Sequence, residues 1–387
     1  MTKLTTLSLF FLAAGIFTSV SILSAYQVLF AIPLAYYLFL ALKNKKFKLP
    51  TSAWFLIAFT AIAFISLIIN LEHIPKPLKN FGKLKYFIYG FGGIFVFRVW
   101  LKEASVKAKS ILTCTFLLSI VVAAGYAMYN FTIVTNGRAK GLTDTMRYGY
   151  GSAMALLVLL SAVLHHEKLK PWLNWKIAIP VLIIGFCGMY LTYTRGALLG
   201  FLCGLPFVLY FYKPKLGLTL GGLAVLTVLG LVGVYLFGSG NYQSRFLVSK
   251  NNGSDHIRRS QWKAAVIATQ EKPVLGWGLA NFHSQLKRIK NDYNLDAKEY
   301  NDAHSHNLFL EIASGTGIVG LLAFLGWLLS WALEAFKAKG MDRVLIIPFG
   351  VGFVVSSQFE VTFDANNASM IFFLYALSSA TFIQRKD

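Results

Sequence analysis

The sequence predicts an all-α polytopic integral membrane protein with about twelve transmembrane helices. Three observations carry that expectation. The 387 residues are 56 % hydrophobic and only 14 % charged, where a soluble domain carries roughly a quarter charged residues. Mean hydropathy is +0.59. Apolar runs of about 17–25 residues recur from end to end, long enough to cross a hydrocarbon core of roughly 30 Å.

In order, the expected spans lie at 4–23, 26–42, 53–71, 84–101, 110–134, 148–164, 177–191, 197–212, 216–237, 307–333, 344–359 and 367–384. The first run lacks a small-residue cleavage site and leads straight into the second, so it reads as a span and not as a cleaved signal peptide. Cys114, Cys187 and Cys203 all fall inside apolar runs, which argues for small buried hydrophobes and against disulfides or a cysteine metal site. The chain divides into residues 1–237 with nine spans, a long loop at 238–305, and 306–387 with three more, together one membrane domain.

Short loops rich in Lys and Arg mark the cytoplasmic side. "KNKKFK" (43–48), "KEASVKAK" (102–109), "HHEKLKPWLNWK" (165–176), "KPK" (213–215) and "KAKGMDR" (337–343) follow alternate spans, which places both termini in the cytoplasm. The opposite side carries an unexpected amount of base. Lys83 and Lys85 stand in "EHIPKPLKNFGKLK" (72–85), Arg138 and Arg147 in "TNGRAKGLTDTMRYG" (135–149), and Arg195 in the turn "TYTRGA" (192–197). Adding the long loop, eighteen of the 37 Lys and Arg fall on the outer face. Long loops translocate regardless of charge, but short ones do not escape the rule. An anionic partner at the outer membrane surface is implied, with phosphate the leading candidate. Nucleic acid is excluded by that compartment.

Inside the long loop, "DHIRRSQWKAAVIATQ" (255–270) has amphipathic helical spacing, with Ile257, Trp262, Ala265 and Val266 on one side. A Pro/Gly turn and a second helix follow in "KPVLGWGLANFHSQLKRIKNDY" (272–293). Both fit a pair of helices capping a cavity in the bundle.

Five polar features stand out. Arg195 sits at the hydrocarbon rim between two apolar runs, where it either snorkels to lipid phosphates or offers a fixed guanidinium fork to a substrate phosphate. Arg258 and Arg259 point about 100° apart on their helix, and Arg258 shares a face with Trp262 by i,i+4 spacing. His304 and His306 stand directly before a span, in "HSHNLFLEIASGTGIVG". On a helix, residues i and i+2 face apart, so the pair could share a metal only in an extended segment. With no further His or Cys cluster nearby, the sequence assigns no metal. A histidine with an ordinary pKa of about 6.5, held neutral beside arginines, suits a general base near neutrality. Asn307 or Ser305 is placed to cap the following helix. Glu311, one turn in, is an intramembrane carboxylate that needs a partner.

These residues resemble the O-antigen ligase and polymerase superfamily. His306 is followed by Asn307 and, eleven positions on, by Gly317. "RRSQW" matches an Arg-x-x-x-Trp helix at Arg258 and Trp262, and "PVLGWG" a Pro-x-x-Gly-x-Gly turn. "YTRGALLG" matches a Thr-Arg-Gly-Ala element, and "GRAKGLTD" an outer-loop Arg-x-x-Gly element. The resemblance covers roughly residues 136–322, with the motifs in family order. It implies a GT-C-like, inverting, metal-independent membrane glycosyltransferase without cofactors, in the Gram-negative bacterial inner membrane, its active site facing the periplasm. The implied donor is a glycan on undecaprenyl pyrophosphate, and the ligase acceptor is lipid A–core. On that reading Arg195 and Arg258 grip the pyrophosphate and His306 is the base. Arg259, Arg138, Arg147, Lys83, Lys85 and His304 bind substrate phosphates, and Trp262, Asn307, Glu311 and Gly317 support. The alternatives are a polymerase that extends one lipid-linked glycan with another, a protein O-glycosyltransferase, and a transporter of the same lipid. A transporter would show symmetry-related broken helices and charges near the midplane.

Overall fold

The computed structural model describes residues 1–44, 48–135, 138–169, 172–219, 221–222, 253–295, 304–338 and 340–384. Most of the expected span 216–237, and of the loop around Arg245, Lys250 and Lys298, lies outside the described residues. Within them the chain is all helix: α1 (Thr2–Gly15), α2 (Val20–Lys43), α3 (Thr51–Ile69), α4 (Pro77–Phe81), α5 (Leu84–Glu103), α6 (Val106–Tyr129), α7 (Thr145–Leu164), α8 (Trp175–Tyr190), α9 (Arg195–Tyr212), α10 (Gly253–Glu271), α11 (Phe282–Asp292), α12 (Leu308–Lys337), α13 (Met341–Ser356) and α14 (Ala365–Gln384).

Among the described residues, seven segments are long and apolar enough to cross a membrane: α2, α3, the α4–α5 stretch Pro77–Glu103, α6 with its continuation to Val134, α7, α9 and α12. The chain is a multi-pass membrane protein. Helix α1, at 14 residues, is shorter than the expected span 4–23, while α8 and α13, at 16 residues each, lie close to the expected 177–191 and 344–359. The first two spans shift because Ser19 breaks the apolar run: its side chain accepts from Ser21 N and Ile22 N and starts α2. Helix α14 is long enough but carries Asn366, Asn367, Ser369, Ser378 and Ser379, all buried. It is a central core helix rather than a lipid-facing one.

Helix α12 packs along α3, α13 along α9, and α14 along α5, while α7 lies against α8, α9 and α13. The core between them is aromatic, with Trp327, Phe324, Phe372 and Tyr375 fully enclosed. Glu334 of α12 ties down the start of α3, accepting from Ser52 N at 3.0 Å and Ser52 Oγ at 2.5 Å. Cys114 and Cys187 are exposed on the outside of the bundle and Cys203 is half-buried, so the first two are not the core residues expected. Their apolar surroundings are those of a lipid-facing surface.

Helices α10 and α11 cap one end of the bundle, α10 resting on α12. The buried face of α10 is Ser260, Gln261, Ala264, Ala265 and Ala268, while Val266 is exposed. The expected Trp262–Val266 face is therefore rotated, because small residues let α10 approach α12 closely where larger ones would hold it off.

The turn between α10 and α11 is stitched into α12. Trp277 N and Gly278 N donate to Ser314 O and Gly315 O at 2.9 and 2.8 Å, and Ile318 N to Pro273 O at 2.7 Å. Ser66 Oγ reaches both Leu275 O and Gly315 O. Helix α12 kinks here at Gly317, with φ 69° and ψ −175°, a region essentially reserved for glycine. Gly276 and Gly278, with φ 63° and 100°, form the matching turn. The Pro-x-x-Gly-x-Gly motif and the glycine eleven residues after His306 are thus the two halves of one backbone contact.

Candidate functional site

At this capped end lies a cavity of about 480 Å³, within the range of small-ligand sites. Its wall draws on the α4–α5 stretch (Lys79, Lys83), the start of α7 (Met146, Arg147, Tyr150), the α10–α11 connection (Leu279, Ala280), and the entry to α12 (His304, His306, Glu311). The α13–α14 connection adds Glu360 and Asp364.

The local fold explains how the histidines reach it. Residues 304–307 are non-helical. Asn307 is extended at φ −153° and caps α12, its Oδ1 accepting from Phe309 N and Leu310 N at 2.9 and 3.1 Å. Glu311 accepts from Ser305 N at 2.9 Å, so the carboxylate that needed a partner fixes the segment just ahead of its own helix. Leu308 N donates to Ser357 O at 2.8 Å, and Asn307 Nδ2 to Gln358 O at 3.2 Å. These bonds bolt the histidine segment to the α13–α14 connection.

That connection delivers Glu360, buried at 6 % exposure. One carboxylate oxygen takes His304 Nε2 in a short hydrogen bond, and the other takes His306 Nδ1 at 3.0 Å. The two imidazoles stand 4.4 Å apart by ring centroid. His306 is held at φ +51°, uncommon for a residue with a Cβ and a mark of stored strain at functional sites. The spacing objection to a shared ligand assumed a helix, and this segment is not one. Among the described residues, ligand atoms of His304, His306 and Glu360 lie within 4.8 Å of one another.

Electrostatics follow from that geometry. Burial alone would push Glu360 up, but the hydrogen bonds from His304 and His306, and their charge, hold its carboxyl well below the usual range. Burial works against a charge on His304, yet bonding to Glu360 raises its pKa above the ordinary imidazole value. With Glu360 ionised, His306 Nδ1 donates to it, leaving Nε2 as the nitrogen available to a substrate. Asp364, half-buried at the start of α14, is pushed up to about 6 by desolvation despite bonds from Asn366 and Asn367 and the charge of Arg147.

Of the residues singled out in the sequence, His304, His306, Glu311, Arg147 and Lys83 line the cavity. Arg147 pairs with Asp144 at 2.8 Å. Lys85 lies off it, over the Tyr86 ring at 5.2 Å. Arg138 braces the α8–α9 turn through Thr192 O at 3.0 Å and Thr194 Oγ1 at 3.2 Å. Arg195 is the exposed first residue of α9, and the next residue, Gly196, packs so closely on the cavity-lining Tyr150 hydroxyl that a Cβ would stand 2.4 Å from it. Arg258 is half-buried on α10, and its charge, with those of Arg138 and Glu360, reaches Tyr150. Arg259 is exposed and Trp262 half-buried. Gly317 shapes the kink rather than the cavity. Sequence reasoning missed Glu360, Asp364 and Tyr150. The signal for Glu360 was faint: one of only 16 acidic residues, standing just after the expected span 344–359.

The O-antigen ligase family model matches residues 180–325 of this chain, which include Arg195, Arg258, the glycine turn and the histidine segment. A curated relative, the O-antigen ligase of Escherichia coli (strain K12), is 23 % identical over 279 residues. That alignment takes in 68 % of this chain and 65 % of the relative, so it spans just under two thirds of the relative's length. Both matches are to O-antigen ligases, and they make the chain similar to that family over the stretch that carries the histidine segment and the glycine turn.

Proposed function

We propose that this chain is an inverting glycosyltransferase that moves O-antigen glycan from undecaprenyl pyrophosphate to a sugar hydroxyl of lipid A–core, at the periplasmic face of the inner membrane. The observation that carries the reading is the buried Glu360 carboxylate on His306 Nδ1, which frees Nε2 in a cavity at the capped end of the bundle. His306 Nε2 accepts the proton of the acceptor hydroxyl as its oxygen attacks the anomeric carbon. The glycosidic bond to pyrophosphate breaks on the opposite face, which inverts the configuration. Glu360 orients the imidazole and stabilises the imidazolium it becomes.

The leaving pyrophosphate gains charge as that bond breaks. Arg258, whose charge reaches Tyr150 of the cavity wall, and Arg195, the residue before the Gly196 that packs on Tyr150, supply the compensating positive charge. Lys83, Arg147 and His304, which line the cavity, with Arg138, Arg259 and Lys85 outside its lining, serve the phosphates of donor or acceptor. The same chemistry would serve a polymerase, whose acceptor is a second lipid-linked glycan.

The test is turnover by the purified chain in detergent, with a glycan on undecaprenyl pyrophosphate, with and without lipid A–core. Glycan on lipid A–core supports the ligase. Longer lipid-linked glycan without that acceptor makes the chain a polymerase. No product from a donor that a known ligase accepts sinks both readings.

A further inference from the structure

We propose that His304, His306 and Glu360 form a binding site for a divalent transition metal of the zinc class, and that the bound ion switches off His306 as a base. The second half rests on the catalytic reading above; the first does not.

Two imidazoles and one carboxylate make a ligand set that zinc takes up with a water in the fourth position. Bonds of roughly 2.0–2.2 Å in a tetrahedron place such ligand atoms about 3.3 Å apart. Here Glu360 Oε2 and His306 Nδ1 already stand at 3.0 Å, His304 Nε2 is on the other carboxylate oxygen, and all three ligand atoms fall within 4.8 Å. Side-chain adjustments of an ångström or so admit the ion. The set is also preorganised. The carboxylate is buried and already desolvated, and the histidine backbone is fixed by Glu311 on Ser305 N and by Leu308 N on Ser357 O. The fourth position opens on the cavity that both histidines line. Charge around the site is mixed: Glu311 favours and Lys83 opposes positive charge at His304.

The consequence for His306 follows from the imidazole itself. A neutral ring has one N–H and one lone pair. In the metal-free site, Nδ1 carries the hydrogen and Nε2 the lone pair. A metal on Nδ1 takes the lone pair there, and the hydrogen moves to Nε2. The nitrogen facing substrate becomes a donor and cannot accept the acceptor's proton. Metal and base function exclude each other at one residue.

The experiment uses the full chain in detergent, stripped with EDTA and titrated with Zn²⁺ against a fluorescent chelator. One Zn²⁺ per chain is expected, with affinity lowered about tenfold or more in both Glu360→Gln and His304→Gln. No stoichiometric binding, or equal affinity in folded variants, overturns the site. Mapping diethyl pyrocarbonate modification by mass spectrometry reads the lone pair on His306 directly. Saturating Zn²⁺ should protect His306 and EDTA should restore its reactivity, with protection lost in Glu360→Gln. Full reactivity with Zn²⁺ bound overturns the switch. Transfer should likewise stop with Zn²⁺ and return with EDTA, and activation by Zn²⁺ overturns the switch as well. A chain with no transfer under either condition fails the catalytic reading alone, since binding and protection still decide the metal site.

Discussion

His306 Nδ1 and Glu360 Oε2, 54 residues apart in the chain, meet at 3.0 Å beneath the cavity. The contact sets which ring nitrogen can take a proton, so its two ends should fail differently. His306→Ala removes the base and should lower turnover by about 10²–10⁴-fold. Glu360→Gln retains an oxygen acceptor but loses the charge that stabilises the imidazolium. It should lower kcat by about tenfold or more with little change in KM, because the donor's phosphates are bound elsewhere. Steady-state kinetics on the two variants check this. A Glu360→Gln enzyme with unaltered kcat would remove the orienting role.

Arg195 opens α9 beside Gly196, which touches the Tyr150 hydroxyl. A guanidinium there holds a phosphate through a planar fork, and lysine keeps the charge without the fork. Arg195→Lys should lower kcat/KM by about 10–100-fold, roughly 1.4–2.7 kcal/mol of lost transition-state stabilisation. Near-normal kinetics in a well-folded variant would assign Arg195 to lipid headgroups instead.

How far the sequence reached depends on the range of the interaction. The apolar runs behind α3, α5, α7 and α12 are local, so composition and length placed them within a few residues. The Asn307 cap is equally local, since an N-cap needs only the two or three residues after it. The Ser19 break was missed because long apolar runs lie on both sides of the short stretch Thr18–Ser21 and a single cap is a weak signal. The α10 face was misjudged because Ala264, Ala265 and Ala268 are chosen for close approach to α12, not for hydrophobic bulk. Glu360 was out of reach for a different reason. Nothing near it in sequence says that the α13–α14 connection will be bonded to the segment before α12. Long-range pairing is a property of the packed bundle, and only the positions of Leu308 and Ser357 reveal it.

Asp364 gives a dependence on pH whose sign can be worked out. Desolvation raises it to about 6 in the folded chain, against an ordinary value near 3.9. Between those values the folded chain holds a proton that the unfolded chain has released. Stability from this group therefore falls as pH rises from about 4 to about 6 and is level above. With allowance for solvent at a half-buried group, the change is about 1–2 kcal/mol. Thermal midpoints of the detergent-solubilised chain across pH 4–7 test it. Asp364→Asn keeps an oxygen to accept from Asn366 N and Asn367 N, so the variant should lack this component. Parallel wild-type and variant curves would show that Asp364 ionises normally in the fold.

Gly317 is where the cap and the bundle join, and it allows a sharp test of that joint. At φ 69° a side chain is strained in any surroundings, and a Cβ would stand 2.1 Å from Val274 O and 2.3 Å from Val274 C. The obstruction is backbone, held by Ile318 N on Pro273 O, so it cannot swing aside as a flexible side chain would. Gly317→Ala should cost about 3 kcal/mol or more, by strain added to overlap. Gly125 in α6 is the control: a Cβ there meets nothing within 4 Å, and alanine in a helix interior is favoured over glycine by roughly 0.5–1 kcal/mol. Gly125→Ala should hold or raise the thermal midpoint while Gly317→Ala lowers it sharply. If Gly317→Ala melts with the wild type, the kink tolerates a side chain, and the docking of the glycine turn onto α12 is looser than these contacts require.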